Sequence, residues 1–198
     1  MFARAIVNRK WMVAAGVAAI LALVIGAAVG RSIIPSDAKK RTVTTPKPVR
    51  FSDPVVGLSL SYPAGWSRLG SKDPQVRLVA AQSPTTSMSL RVSPSKLADV
   101  TPRTLPVVRQ FTDELVAADP RAKVLTPAEP VVLGGLPGYR YSYTYTTSGG
   151  TSGAHIHYFL FKHRRLVQLV FQSLPATDLS KDEPVFDRIA STLKSTTR

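Results

Sequence analysis

The sequence predicts an α+β domain, helices packed on an antiparallel sheet, behind one N-terminal transmembrane helix. Three observations predict it. Residues Trp11–Val29, WMVAAGVAAILALVIGAAV, carry no charge and no Pro; as a helix that run spans about 28 Å, close to the roughly 30 Å of bilayer hydrocarbon. Period-two segments joined by turn residues fill most of residues 57–174, the pattern of hairpins rather than crossovers. Two segments, near residues 105–118 and after residue 180, repeat every three to four residues instead, as helices do.

Taken in order, Arg4, Arg9 and Lys10 precede the apolar run. This is the layout of a secretory signal, and Ala28-Val29-Gly30 has the small residues of a cleavage site. The run exceeds the usual signal h-region, so residues 1–10 are expected as a cytoplasmic n-region and 11–30 as an uncleaved signal-anchor. Ala15, Ala19, Ala22 and Gly26 fit a small-xxx-small packing face, or simply the Ala and Gly common in such helices. Residues 31–49 hold prolines, cations and threonines without hydrophobic period, which reads as a solvated linker. Within it, Lys39, Lys40 and Arg41 suit a membrane surface. The domain, residues 50–198, is then expected outside the bacterial plasma membrane.

Charge divides along the same boundary. The chain carries +14 formally; residues 1–50 hold nine Lys/Arg and one Asp, and residues 51–198 hold seventeen Lys/Arg against eleven Asp/Glu. Much of the excess therefore flanks the apolar run, where it serves topology. No RNA-binding or helix-turn-helix pattern accompanies the rest, which argues against a nucleic-acid partner. There is no Cys, hence neither a disulfide framework nor a lipobox for a lipid anchor.

In the domain, Leu58, Leu60 and Tyr62 alternate with serines, a half-buried strand stopped by Pro63-Ala64-Gly65 before Trp66. Residues 75–82 and 88–92 read as a hairpin across Ser83–Thr86. Leu105, Val108, Phe111, Leu115 and Ala118 mark a helix with Thr104 placed to cap it. Pro127 and Pro130 assign residues 123–133 to a sheet edge. Tyr139, Tyr141, Tyr143 and Tyr145 share one face of a strand over residues 139–146. Residues 156–162 and 166–174 complete a meander across a turn at His163-Arg164-Arg165. Ser180 and Glu183 make a capping box for a last helix that buries Val185, Phe186, Ile189 and Leu193.

The opening FSDPVVGLSLSYPAGW, the GGLPGYRYSYTY strand and the closing FDRIASTLKS resemble the PsbP/Mog1-like superfamily, and within it the actinobacterial LpqN-type proteins. The resemblance covers nearly the whole domain. It implies an α-β-α sandwich around an antiparallel sheet, and a binding or assembly role rather than catalysis, in the cell envelope with a protein partner. The chain departs from the LpqN type in having an apolar anchor instead of a lipobox.

Few residues carry candidate chemistry. His155 and His157, two apart on a strand, face the same way and could share a metal, as the centre of a metal-dependent enzyme. Two ligands do not complete a site, so no metal or cofactor is expected. The tyrosine ladder 139–145 could be a platform for a lipid or sugar carrier, or core packing beneath a helix. Trp66 could anchor a partner or close one end of the core. Lys162, Arg164 and Arg165 form a basic knob. There is no G-x-S-x-G elbow and no phosphate loop, so no catalytic residue is assigned and the domain is read as non-enzymatic. Docking onto an envelope protein or lipid-linked ligand is the leading reading.

Overall fold

The computed structural model describes residues 46–97 and 99–196. The signal-anchor, most of the linker and Lys39, Lys40 and Arg41 lie outside the described residues. Among the described residues, no helix is long and apolar enough to cross a membrane.

Alternating sequence becomes strand throughout the domain. The strands are β1 (Val49–Asp53), β2 (Leu58–Tyr62), β3 (Ser67–Leu69), β4 (Val76–Ala81), β5 (Thr86–Pro94), β6 (Lys123–Leu133), β7 (Leu136–Thr146), β8 (Ser152–Lys162), β9 (Arg165–Ser173) and β10 (Lys194–Ser195). A seven-stranded sheet runs β3-β4-β5-β9-β8-β7-β6, and a three-stranded sheet runs β1-β2-β10. The pairings are antiparallel. The expected hairpin and meander are both present, and β9 joins them by pairing with β5 along nine residue pairs. As the prolines require, β6 is an edge, with two irregularities in its pairing to β7.

Partners across antiparallel strands share a face. One face carries Tyr141, His157, Val170 and Ser89 in a row; the other carries Arg140, Tyr158, Leu169, Leu90 and Leu78. On the second face lies α2 (Leu179–Ser191), with the small sheet beside it. Phe186, Ile189 and Leu193 join Leu58, Leu60, Trp66, Leu90 and Phe171 in one core, where the Phe186 ring stacks on Phe171 at 4.9 Å. On the first face, α1 (Arg109–Ala117) and the segment before it cover the tyrosines in a smaller core with Phe159, Phe161 and Leu166. The outcome is the expected α+β architecture with helices on both faces, plus a second sheet that the alternation did not reveal.

Both helix starts differ from expectation. Leu105–Val108 is a 3-10 turn; Thr104 stands at its N-cap without a capping bond, its hydroxyl engaged with Thr101. α2 begins at Leu179 after a 3-10 turn at Ala176–Asp178, and its N-cap Asp178 makes no side-chain capping bond. The Ser180/Glu183 capping box does not form. Instead Glu183 pairs with Arg140 of β7, a charge-assisted bond that ties helix to sheet.

The small sheet is held by side chains as much as by strands. β10 pairs with only two residues of β2. Beyond it, the Thr192 hydroxyl accepts from Ser61 N–H at 2.8 Å and lies 3.1 Å from Ser61 C=O, standing in for a missing strand. Lys162, expected in a surface knob, is buried. Its ammonium donates to the carbonyls of Val56 at 2.9 Å, Gly57 at 2.8 Å and Thr196 at 2.9 Å. One cation thus staples β8, the β1–β2 turn and the C-terminal segment.

Replacing Lys162 by Met should leave three carbonyls short of a donor and cost about 2–4 kcal/mol, read as a lower urea midpoint at unchanged m-value. Phe186→Ala should cost about 3–5 kcal/mol. If K162M unfolds at the wild-type midpoint, the staple contributes nothing.

Candidate functional site

The residues singled out for chemistry meet beneath α1. Because β7 and β8 pair as Tyr141↔His157 and Tyr143↔His155, the tyrosine ladder and both histidines form one patch on one face, all buried. The parity argument for the ladder holds. Its environment is a packed core layer.

Three of the four phenols hydrogen-bond to a neighbour, and Tyr145 packs by its ring. Tyr139 donates to Leu105 C=O at 3.3 Å, and Arg109 lies over its ring. Tyr141 donates to Asp113 at 2.6 Å and lies 2.7 Å from the Thr112 hydroxyl, pinning α1 to the sheet. The Tyr145 ring covers Gly153, where any Cβ would collide with it, and stacks on His155 at 4.3 Å. Gly153 is itself buried within β8. Burial pushes the Tyr145 hydroxyl up to about 12 and those of Tyr141 and Tyr143 higher, so all three stay neutral.

The histidines share one phenol. Tyr143 Oη stands 3.3 Å from His155 Nδ1 and 3.1 Å from His157 Nδ1. A phenol has one proton, so it donates to one imidazole and accepts from the other. His155 Nε2 lies 3.4 Å from the carbonyl oxygen of Gln172. That oxygen only accepts, so His155 carries its proton on Nε2 and its Nδ1 accepts from Tyr143. His157 then donates from Nδ1, which leaves its Nε2 a bare lone pair. That is the atom found buried without a hydrogen-bond partner among the described residues, and the nearby Gln168 side chain only partly offsets the effect of burial on this ring. The His157 ring also stacks on Phe159 at 3.8 Å.

This geometry does not make a metal centre. Both Nδ1 atoms are turned onto the tyrosine, and among the described residues no three His, Cys, Asp or Glu stand close enough to hold an ion. His163 lies apart, exposed at the β8–β9 turn with φ +50°. Burial is the main cause holding both imidazoles neutral, His155 down at about 4 and His157 at about 3; the mutual repulsion of the pair adds to the second. Trp66 is buried too, edge-on to Phe186 at 6.4 Å. Its ring closes one end of the core. A hollow of about 410 Å³ lies at the β3–β4 edge, lined by Arg68, Leu69, Val76, Arg77 and Val79, away from the tyrosines.

Sequence reasoning missed the polar ties around this core. Arg140, on the opposite face from the ladder, pairs with Glu183 and, at 3.7 Å, with Glu129. Arg77 pairs with Asp53 at 2.6 Å. Burial opposes the charged form of Asp53, yet Arg77 and the N–H groups of Val55 and Val56 hold its carboxyl below the usual range. Nothing in residue spacing signals such pairs, which join segments far apart in sequence.

The domain is thus defined by its fold: two helices on the two faces of a seven-stranded antiparallel sheet, with a small three-stranded sheet beside one of them. No family model matches the chain, and no curated protein matches it. Solved structures do. The solution structure of cyanobacterial PsbP (CyanoP) from Synechocystis superposes with a TM-score of 0.56 at 18% identity, over 80% of this chain and 98% of that one. LpqN of Mycobacterium tuberculosis, described as involved in cell envelope biogenesis, gives 0.57 at 16%, over 76% and 90%. The Ran-binding protein Mog1p of Saccharomyces cerevisiae gives 0.51 at 8%, over 75% and 95%. The domain has the PsbP/Mog1-like fold, with similarity to LpqN.

Acid should destabilise the domain through the histidine pair. Above the unfolded imidazole value of about 6.5 both states are neutral; below it the unfolded chain binds protons that the folded core refuses. Stability should fall as pH drops from about 6.5 toward the folded values, by about 2 kcal/mol per histidine at pH 5. His157→Phe should keep the stack on Phe159 and remove close to one proton from the pH slope of unfolding between pH 6.5 and 4. Chemical denaturation across that range checks this; an unchanged slope would show that His157 does not titrate with unfolding.

Proposed function

We propose that this chain is a membrane-anchored, non-enzymatic binding or scaffold protein of the bacterial cell envelope. Trp11–Val29 is its single-pass anchor, residues 31–49 its tether, and the PsbP/Mog1-like domain its extracytoplasmic docking module. The observation that carries the non-enzymatic part is the fate of the chemical residues. The tyrosine ladder and His155/His157 are buried beneath α1, and Tyr139, Tyr141, Tyr143 and both histidines are hydrogen-bonded to protein groups around them. A lone pair or phenol that no substrate reaches does no acid–base work. Packing of the same face by α1 leaves the lipid- or sugar-carrier reading without a chamber there.

The comparisons support binding by analogy of fold. One neighbour is a Ran-binding protein and another takes part in cell envelope biogenesis. Fold alone does not transmit a partner, so a protein partner is the reading and its identity is open to capture. The uncharged run of residues 11–29 supports the anchor.

Full-length protein should sediment with membranes and be extracted only by detergent. Protease added to spheroplasts should digest the domain without lysis. Recovery of the full-length chain in the cytosol, or protection of the domain until the cells are broken, would overturn this topology.

A further inference from the structure

The described chain starts at one end of the domain, and at the other end several elements bring exposed cations together. β1 runs from Val49, opposite Tyr62, to Asp53, opposite Leu58. Tyr62 leads through Trp66 into β3, whose Ser67 sits opposite Ala81, near the β4–β5 turn. Asp53 instead leads into the turn whose carbonyls hold Lys162, next to the β8–β9 hairpin. The two ends are separated by the length of β5 and β9, eight residue steps or about 26 Å.

At the Lys162 end, separate elements bring exposed cations together. Arg164 and Arg165 form the hairpin with His163. Ser95 N–H donates to Arg164 C=O at 2.8 Å, which places Lys96 beside them. Lys194 arrives on β10, and Arg103 in the segment leading from Lys96 to Leu105. All five are exposed, and among the described residues none takes part in a salt bridge. Arg77 and Arg91 are paired with Asp53 and Asp73, while Arg50, Arg68, Lys72, Lys123, Lys181 and Arg188 are exposed singly over the rest of the domain.

Apolar side chains are exposed in the same region. Val55, in the turn held by Lys162, is 75% exposed; Val132, beside Pro137 in the strand pair that ends at Gly134, is 61% exposed; Val107, just past Arg103, is 82% exposed. Cations interspersed with bare valines are what a protein interface presents, with apolar contact and a charged rim.

We infer that this end of the domain, built on the Arg164–Arg165 hairpin with Lys96 and Val55, is the docking surface, and that its occupant is an acidic surface of another protein. The inference rests on the docking function proposed above. The bare valines among these cations favour a protein over an anionic membrane as the occupant, and β1 starts at the opposite end.

The test uses the full-length chain in its own membrane. A photo-crosslinking amino acid is placed in turn at Val55 and Val132, and at Gly149 and Pro84 at the opposite end, and adducts are identified by mass spectrometry. Positions 55 and 132 should capture the same protein, through a peptide rich in Asp and Glu. Arg164→Glu with Arg165→Glu should cut that capture at least about tenfold, while Arg164→Lys with Arg165→Lys keeps it. Exposed turn positions tolerate these changes, and unaltered thermal melting verifies the fold. Adducts only from positions 149 and 84, lipid adducts at 55 and 132, or capture indifferent to charge reversal would overturn this surface and leave a docking role standing. No protein adduct from any of the four positions would overturn both.

Discussion

Residues Gly153 to Lys162 of β8 are all buried. A strand with no solvent face needs cover on both sides, and the rest of the domain supplies it. α2 and the small sheet cover one face; α1 and the segment before it cover the other. The two covers differ in chemistry. The α2 side is closed by Phe186, Phe171, Trp66 and aliphatic residues, so its cohesion is mainly hydrophobic area removed from water. Beneath α1, the aromatic rings carry hydroxyls and imidazoles, each of which needs a partner once buried.

That difference explains how the polar groups are arranged. A phenol is at once donor and acceptor, so Tyr143 satisfies two neutral histidines with one proton. The arrangement leaves one lone pair over, at His157 Nε2. It also makes the α1 side the part of the core most exposed to acid, because an imidazolium there would meet aromatic rings and amides. The nearest carboxylate to act on the pair, Asp119 at the end of α1, is itself bonded to Arg121. Polar side chains that would suggest catalysis when read in a line are here the means of fixing a short helix to a sheet.

With the interior closed, what the domain presents is its perimeter. Proline and irregular pairing blunt the β6 edge, as edge strands require to avoid indiscriminate pairing. The Lys162 end gathers turns from three parts of the chain, and a buried ammonium holds two of them in place. The same cation that consolidates the small sheet thus sets the positions of the exposed residues around it.

Local pattern determined much of this from the sequence alone. Alternation placed Leu58–Tyr62, the tyrosine strand and the two strands after it, because a strand's side chains must alternate between faces. The spacing of Leu105 to Ala118 located the α1 region, and the prolines assigned β6 to an edge. The family resemblance proved sound at the level of fold. Tertiary structure alone decided what depends on distant partners: the pairing of β9 with β5, the two-residue β10 eked out by Thr192, the burial of Lys162, and Glu183 taken from its capping box by Arg140. It also decided that the histidines and tyrosines face each other beneath α1. Periodicity reports which face a side chain takes; only the packed chain sets what lies against that face, because contacts between segments a hundred residues apart leave no trace in local spacing.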